Sequence, residues 1–166
     1  IVVLLLRGVP EGMLAVLALH FFTRTKVDIK KYLLLCLIYV SATYFIRFLP
    51  ITLGVNSVLS LFVLIISFQF TYKGQLSKVI RSIISAAVIL TLVAISEVLN
   101  MVLLIMIYGR TQAEILFTSD NGLTETIYTY PSVIFFAIFI FIGRWILKKY
   151  DLRKKKNGET SEKTGE

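Results

Sequence analysis

Residues 82–108 read SIISAAVILTLVAISEVLNMVLLIMIY, a long apolar run whose one charged side chain is Glu97. A bilayer core about 30 Å thick is crossed by about 20 apolar residues of α-helix. The run exceeds that length, which leaves room for tilt or for projection beyond the bilayer. It therefore predicts a membrane-spanning helix and sets the class of the whole chain.

Four more stretches resemble this run. The whole chain has 57% hydrophobic and 17% charged residues and a mean hydropathy of +0.81, far more apolar than a soluble domain of similar length. We predict an all-α polytopic integral membrane protein, with one transmembrane bundle over residues 1–150. Helices are expected because open sheets leave backbone groups unpaired in lipid. The predicted spans are about 1–22, 32–49, 55–72, 82–108 and 131–149.

The positive charges follow a topological pattern. The formal net charge is +8, and most Lys and Arg lie in the connections at 23–31 and 73–81 and in the segment from Arg144 onward. These are alternate connections, as the positive-inside rule requires of cytoplasmic segments. The pattern predicts an N-terminus outside and a C-terminus in the cytoplasm, and it argues against binding to nucleic acid. The other connections, around 47–54 and 109–130, should face outward.

The sequence also supports predictions about the two ends of the chain. Residues 151–166, DLRKKKNGETSEKTGE, are polar and basic, so we expect a disordered cytoplasmic tail whose first half lies against anionic head groups. The first segment has no basic stretch before it and no small-residue cleavage site after it. A cleavable signal peptide is therefore not expected. Because the chain starts at Ile1, we expect missing N-terminal residues or a fragment.

Ionisable side chains inside spans normally face the bundle interior and find partners, since exposing them to lipid is costly. In the predicted topology the charged candidates all lie toward the outer half of the membrane, where amides from two spans join them. The cluster either binds a ligand or signal, or only holds the helices in register through paired charges. Its predicted members are Arg7, Glu11, Arg47, Asn56, Glu97 and Asn100.

The first span contains an unusual segment, LLLRGVPEGMLAV at residues 4–16. Gly8 and Gly12 have the GxxxG spacing that lets a neighbouring helix approach closely. Pro10 removes one backbone hydrogen bond and should bend the helix. We expect a bent, tightly packed helix that supports polar groups within the membrane.

His20 and Cys36 raise an enzymatic alternative. They should lie at similar depth at the inner ends of the first two spans, and a histidine can activate a cysteine nucleophile, as in membrane peptidases. However, a lone cysteine in LLLCLI packs well as a small apolar residue. The sequence has no phosphate-binding loop, no HExxH and no cluster with metal-ligand spacing. We therefore expect no catalytic residues, no metal and no cofactor.

Residues 44–59, YFIRFLPITLGVNSVL, resemble a segment of the membrane-embedded input region of Firmicute-type sensor histidine kinases. The matching positions are Tyr44, Arg47, Leu49, Pro50 and Gly54, together with Glu11 and Gly12 in the first helix. The resemblance implies a bacterial plasma-membrane sensor of a two-component system, in which the bundle senses an extracytoplasmic or intramembrane signal. The chain departs from these kinases because it has no phosphoacceptor helix and no ATP-binding domain.

The function predicted from the sequence is a sensory or regulatory membrane module without catalytic activity. Its expected partners are the lipid bilayer, a signal ligand on the extracytoplasmic side, and a partner protein or a second copy of the chain. The main alternative is a small transport component that binds a substrate and relies on an ATPase from another subunit. The cysteine peptidase is the third reading.

Overall fold

The structure is a computed structural model that describes residues 7–47, 53–72, 76–117 and 122–163. Within these ranges it omits the side chains of residues 47, 53–57, 76–78, 117, 122, 125 and 154–163. All regular structure in the described ranges is helical. The helices are α1 (Val9–Thr23), α2 (Ile29–Arg47), α3 (Leu53–Tyr72), α4 (Leu76–Tyr108), α5 (Arg110–Phe117) and α6 (Gly122–Lys163).

Three of the helices are long and apolar enough to cross a membrane, judged by length and composition within the described residues. They correspond to Ile29–Ile46, Val79–Tyr108 and Thr126–Arg153, while Val9–Thr23 and Val58–Tyr72 are apolar but shorter. Many large apolar side chains point away from the bundle, such as Phe70 at 83% and Met106 at 80% exposure. Such a surface suits lipid. The all-helical membrane class is confirmed, and the number of five spans stays a prediction.

The short helix α1 lies at the centre of the bundle. It packs against α2, α4 and α6, and its Val16, Ala18 and Leu19 are completely buried. Around it lie buried apolar side chains from four helices, including Leu35, Leu64, Ile89 and Phe136. Small residues in α1 allow this close packing. A Cβ atom built on Gly12 would lie 2.7 Å from the Cγ2 atom of Val40 in α2.

Contacts between helix ends fix the directions of the helices. Arg7, before α1, contacts Glu97 in the second half of α4. At the opposite end of α1, His20 bonds to Tyr72 at the end of α3, and Arg24 pairs with Asp151 in α6. Hence α1, α3 and α6 run in one direction. We call the end of the bundle with Arg7 and Glu97 the Glu97 end, and the opposite end the Arg24 end.

The remaining two long helices run in the opposite direction. Gln69 Nε2 donates a hydrogen bond of 3.0 Å to Ser82 Oγ, which brings the start of α4 beside the end of α3. The Tyr32 hydroxyl near the start of α2 donates to the Met13 carbonyl, while Gly12 faces Val40 further along α2. Apart from α5, the helices of the described ranges therefore alternate in direction along the chain.

Pro10 follows an irregular turn of the backbone. It occupies the first turn of α1, where a missing N–H costs least, and Arg7 and Gly8 form a π-helical turn before it. The irregular backbone thus lies in the turn immediately before Val9 and Pro10. In contrast, Pro131 lies inside α6.

Two further segments are largely helical in the structure. The connection predicted at 109–130 contains α5 and the first turns of α6, because Gly109, at φ +80°, ends α4 and the RTQAEILF segment then forms an amphipathic helix with Ala113 buried. Beyond residue 150, the structure assigns residues up to Lys163 to α6, and the disorder expected of the tail stays a prediction. That segment has no proline, and the apolar helix before it supplies the nucleus for propagation.

Candidate functional site

The structure brings together three of the predicted charged residues. The Arg7 guanidinium donates a hydrogen bond of 2.9 Å from Nη2 to Glu97 Oε1, and the two residues are 90 positions apart. The Arg7 side chain is 11% exposed and that of Glu97 is 44% exposed. A charge-assisted hydrogen bond of this length is among the stronger polar contacts in proteins. It links the start of α1 to α4.

Glu11 is the second carboxylate beside Arg7. Its Oε2 atom lies 3.6 Å from Arg7 Nε, one turn along the same helix. At this distance the two side chains form an ion pair, but the atoms are too far apart for a good hydrogen bond. Both Arg7 Nε and Glu11 Oε2 are buried and have no hydrogen-bond partner in the described part of the chain. The guanidinium is therefore hydrogen-bonded to α4, while a second acceptor, in α1, lies close but is not hydrogen-bonded.

A small space lies beside these carboxylates. Its volume is about 10 Å³, and its polar lining is Glu11, Ser96, Glu97 and Ser132. That volume accommodates about one water molecule. In this packing the space is too small for an organic ligand or a transported solute.

Asn100 connects α4 to α6 one turn beyond Glu97. It is completely buried, and its Nδ2 donates a hydrogen bond of 3.0 Å to the carbonyl of Tyr128. Pro131 has no N–H to give to the carbonyl of Ile127, so the helix is weakened at this point. Asn100 supplies a donor to the next carbonyl along α6. Its Oδ1 atom is buried with no hydrogen-bond partner among the described residues.

The other two predicted cluster members cannot be placed. The side chains of Arg47 and Asn56 lie outside the described residues, as does the connection at 48–52. The resemblance of residues 44–59 partly rests on those positions. Their participation in the cluster stays a prediction.

The prediction missed the hydroxyl side chains around the cluster. Ser96, Thr126, Thr129 and Ser132 are all buried. The Ser96 hydroxyl donates to the Leu92 carbonyl at 2.7 Å, and Ser132 donates to Thr129 at 2.7 Å. Serine and threonine satisfy their hydroxyls on their own helix in this way, so they are common in spans. Only their position next to Glu97 and Pro131 could have marked them.

His20 and Cys36 do not form the pair considered for a peptidase. His20 is fully buried, and its Nδ1 lies 2.8 Å from the Val16 carbonyl, so this nitrogen is the donor. In the neutral ring, Nε2 accepts from the Tyr72 hydroxyl at 2.9 Å. Phe68 and Tyr72 pack edge-on against the ring. Both ring nitrogens are thus engaged by groups other than the Cys36 thiol, which gives the peptidase reading no support.

Comparison of the chain with protein-family models, curated proteins and solved structures found no match. The likeness to sensor kinase input regions therefore stays a prediction. Among the residues that the structure describes, no group of three His, Cys, Asp or Glu side chains is arranged to hold a metal ion. The chemistry of the site is that of a guanidinium shared between carboxylates.

Proposed function

We propose that this protein is a sensory or regulatory membrane module of five spans, in which the pairing of Arg7 controls the packing of α1 against α4. The observation that carries the proposal is the position of one guanidinium between two carboxylates on different helices, at 2.9 Å from Glu97 and 3.6 Å from Glu11. Such an arrangement has two closely related pairings. A signal that favours one over the other shifts the helix packing.

The alternating helix directions support the proposed topology. The end of α1, the end of α3 and the far part of α6 all lie at the Arg24 end. In the sequence, the three basic segments follow or include these three helix portions. Under the positive-inside rule the Arg24 end is cytoplasmic, and the Glu97 end lies toward the outside. The proposed setting is a bacterial plasma membrane, with the N-terminus outside.

In the proposed mechanism, α6 carries the change across the membrane. When Arg7 bonds to Glu97, α4 is held against α1, and Asn100 of α4 holds α6 through the Tyr128 carbonyl. Loss of the Arg7–Glu97 bond frees α4 to move, and α6 moves with it. A partner protein, or a second copy of the chain, reads the new position at the Arg24 end. By resemblance, a kinase is the proposed class of partner.

The volume of the small space beside Glu11 helps to choose between a sensor and a transport component. A transport component needs a cavity for its substrate, whereas the space at this cluster has a volume of about 10 Å³. The cluster therefore favours a signal that acts on charge or packing over a solute held between helices. Adjacent reading frames give an independent test: a kinase core would support the sensor, and ATPase subunits would favour transport.

The direct test replaces Glu97 by Gln and measures the far end of α6. Trp145 is the chain's one tryptophan and is 62% exposed near the Arg24 end. In liposomes, Glu97→Gln should change the accessibility of Trp145 to an aqueous quencher, because the Arg7 bond to α4 is weakened. Interhelical hydrogen bonds in membranes contribute on average about 0.6 kcal/mol, so the variant should still insert and keep its helix content.

Glu114→Gln is the matched control. Glu114 pairs with Arg110 in the exposed part of α5, outside the cluster, so the same chemical change should leave Trp145 quenching as in the parent. Unchanged quenching in Glu97→Gln, with insertion intact, would refute the coupling. Equal changes in both variants would also refute it, because the effect would then follow total charge.

A further inference from the structure

A second polar feature lies at the Arg24 end, far from the Glu97 cluster. A groove of about 420 Å³ runs between the end of α1 and the part of α6 after Gly143. Its charged lining consists of Arg24, Arg144, Lys148 and Asp151, and Phe21 and Leu147 are among its apolar lining residues. The groove is therefore cationic on one side and apolar on the other.

The cations in the groove are only partly neutralised. Arg24 Nη2 pairs with Asp151 Oδ1 at 2.7 Å. The Arg144 guanidinium lies 4.2 Å from the centre of the Phe21 ring. In the described part of the chain, no carboxylate oxygen lies within 4 Å of a charged nitrogen of Arg144 or Lys148. Three positive side chains thus face one negative one.

The backbone at Arg24 adds a second observation. Arg24 ends α1 in the left-handed conformation, at φ 57°, and it is the one non-glycine residue with positive φ in the described ranges. Glycine is the usual residue at such helix ends, because a Cβ atom is disfavoured there. The chain therefore places an arginine in this conformation in the lining of the groove.

These features define the chemistry of a ligand. Guanidinium and ammonium groups bind phosphate oxygens, and arginine does so with two parallel hydrogen bonds. The apolar wall beside them suits acyl chains, and basic pockets between helices at a membrane surface bind anionic head groups. We infer that the groove binds the phosphodiester of an anionic phospholipid, through Arg24, Arg144 and Lys148. Asp151 competes with that phosphate for Arg24.

The test measures lipid retention by the purified full chain. The protein is exchanged into mixed micelles with either phosphatidylglycerol or phosphatidylcholine, and bound lipid is counted by native mass spectrometry. We expect phosphatidylglycerol to be retained at least tenfold better than phosphatidylcholine. Equal retention of the two lipids would overturn the inference.

The groove variant is Arg144→Gln with Lys148→Gln, and its matched control is Lys149→Gln with Arg153→Gln. Both remove two positive charges from the same stretch of α6, but Lys149 and Arg153 are not among the lining residues, and Lys149 lies over the Trp145 ring. The groove variant should lose about tenfold in phosphatidylglycerol retention, and the control less than about twofold. An equal loss in both would overturn the inference in favour of diffuse attraction.

Two single substitutions test the site without depending on loss of folding. Arg24→Gly suits the left-handed backbone and removes the guanidinium, so retention should fall several-fold while thermal stability is kept. Asp151→Asn removes the competing carboxylate, so retention should rise several-fold. A fall in retention with Asp151→Asn would contradict the assignment of Asp151 as a competitor.

Competition with inorganic phosphate tests whether the groove binds a lipid or a free anion. At a concentration equal to that of the lipid, phosphate should leave phosphatidylglycerol retention within about twofold, because it lacks acyl chains for the apolar wall. Complete displacement at equal concentration would overturn the lipid assignment and identify a site for a soluble phosphate.

Discussion

At the scale of single residues, Gly12 shows how close packing at the centre of the bundle depends on one missing methyl group. The built Cβ atom would lie 2.7 Å from Val40 Cγ2 and 3.4 Å from Tyr39 Cδ1. Val40 is β-branched, and its χ1 angle is stiff in a helix, so it cannot easily turn away. The contact between α1 and α2 is therefore set by glycine at this position.

Gly12→Ala should lower the free energy of unfolding by about 1 kcal/mol. Overpacking costs typically about 1–3 kcal/mol, while alanine gains about 1 kcal/mol of helix propensity over glycine. In a Val40→Ala background the clash is removed, so the same Gly12→Ala change should become neutral or stabilising. Denaturant unfolding of the four proteins in mixed micelles measures this coupling. Equal effects of Gly12→Ala in both backgrounds would contradict it.

The sequence predicted the partners of individual residues where exposing those residues to lipid would be costly. Arg7, Glu11 and Glu97 were predicted as one cluster because charges in spans need partners, and the structure brings these three together. The partnership of Arg24 with Asp151 was not predicted. Both residues lie in polar segments that water can solvate, so only the register of α1 against α6 reveals the pair.

At the scale of elements, α4 and α6 are joined near Pro131 by a side chain from α4. Asn100 donates to the Tyr128 carbonyl, beside the position where the proline removes a backbone donor. The prediction placed Asn100 in an apolar helix, as the structure does, but gave it no partner in α6. The predicted span began near residue 131, whereas the helix that contains it begins at Gly122 and packs against α4 and α5.

Asn100→Ala should lower stability by about 1 kcal/mol and increase the separation of α4 from α6. The reason is the loss of the hydrogen bond to Tyr128, since interhelical bonds in membranes reach at most about 1.7 kcal/mol. Spin labels on exposed positions of α4 and α6 measure the separation. Ser96→Ala is the control, because the Ser96 hydroxyl donates to its own helix at Leu92. A larger separation in the control than in Asn100→Ala would refute the role of Asn100.

At the scale of the whole molecule, the alternating directions of the helices match the charge pattern along the chain. The basic connection after α1 and the basic part of α6 meet through Arg24 and Asp151. The sequence could predict this arrangement because lipid excludes all but a few structures and charge asymmetry orders the connections. It could not predict that the shortest apolar helix, α1, lies at the centre. That depends on small residues and packing complementarity, which hydropathy does not describe.

The topology predicts where a membrane-impermeant maleimide reacts in intact cells. Cys36 is buried and is replaced by alanine to give a background without reactive thiols. In that background, Thr111→Cys in α5 should be labelled in intact cells. Lys26→Cys and Lys149→Cys should be labelled only after permeabilisation. Labelling of Lys26→Cys and Lys149→Cys from opposite sides would exclude the five-span arrangement.

The continuity of α6 has a mechanical consequence. From Tyr128, which Asn100 holds, to Asp151, which Arg24 holds, the helix advances about 35 Å at 1.5 Å per residue. Because α6 is continuous between these two held positions, a displacement at one of them is coupled to the other. Movement of α6 at Asp151 therefore affects its contact with Asn100 at Tyr128. Lipid binding in the groove and the pairing of Arg7 would then influence each other in both directions.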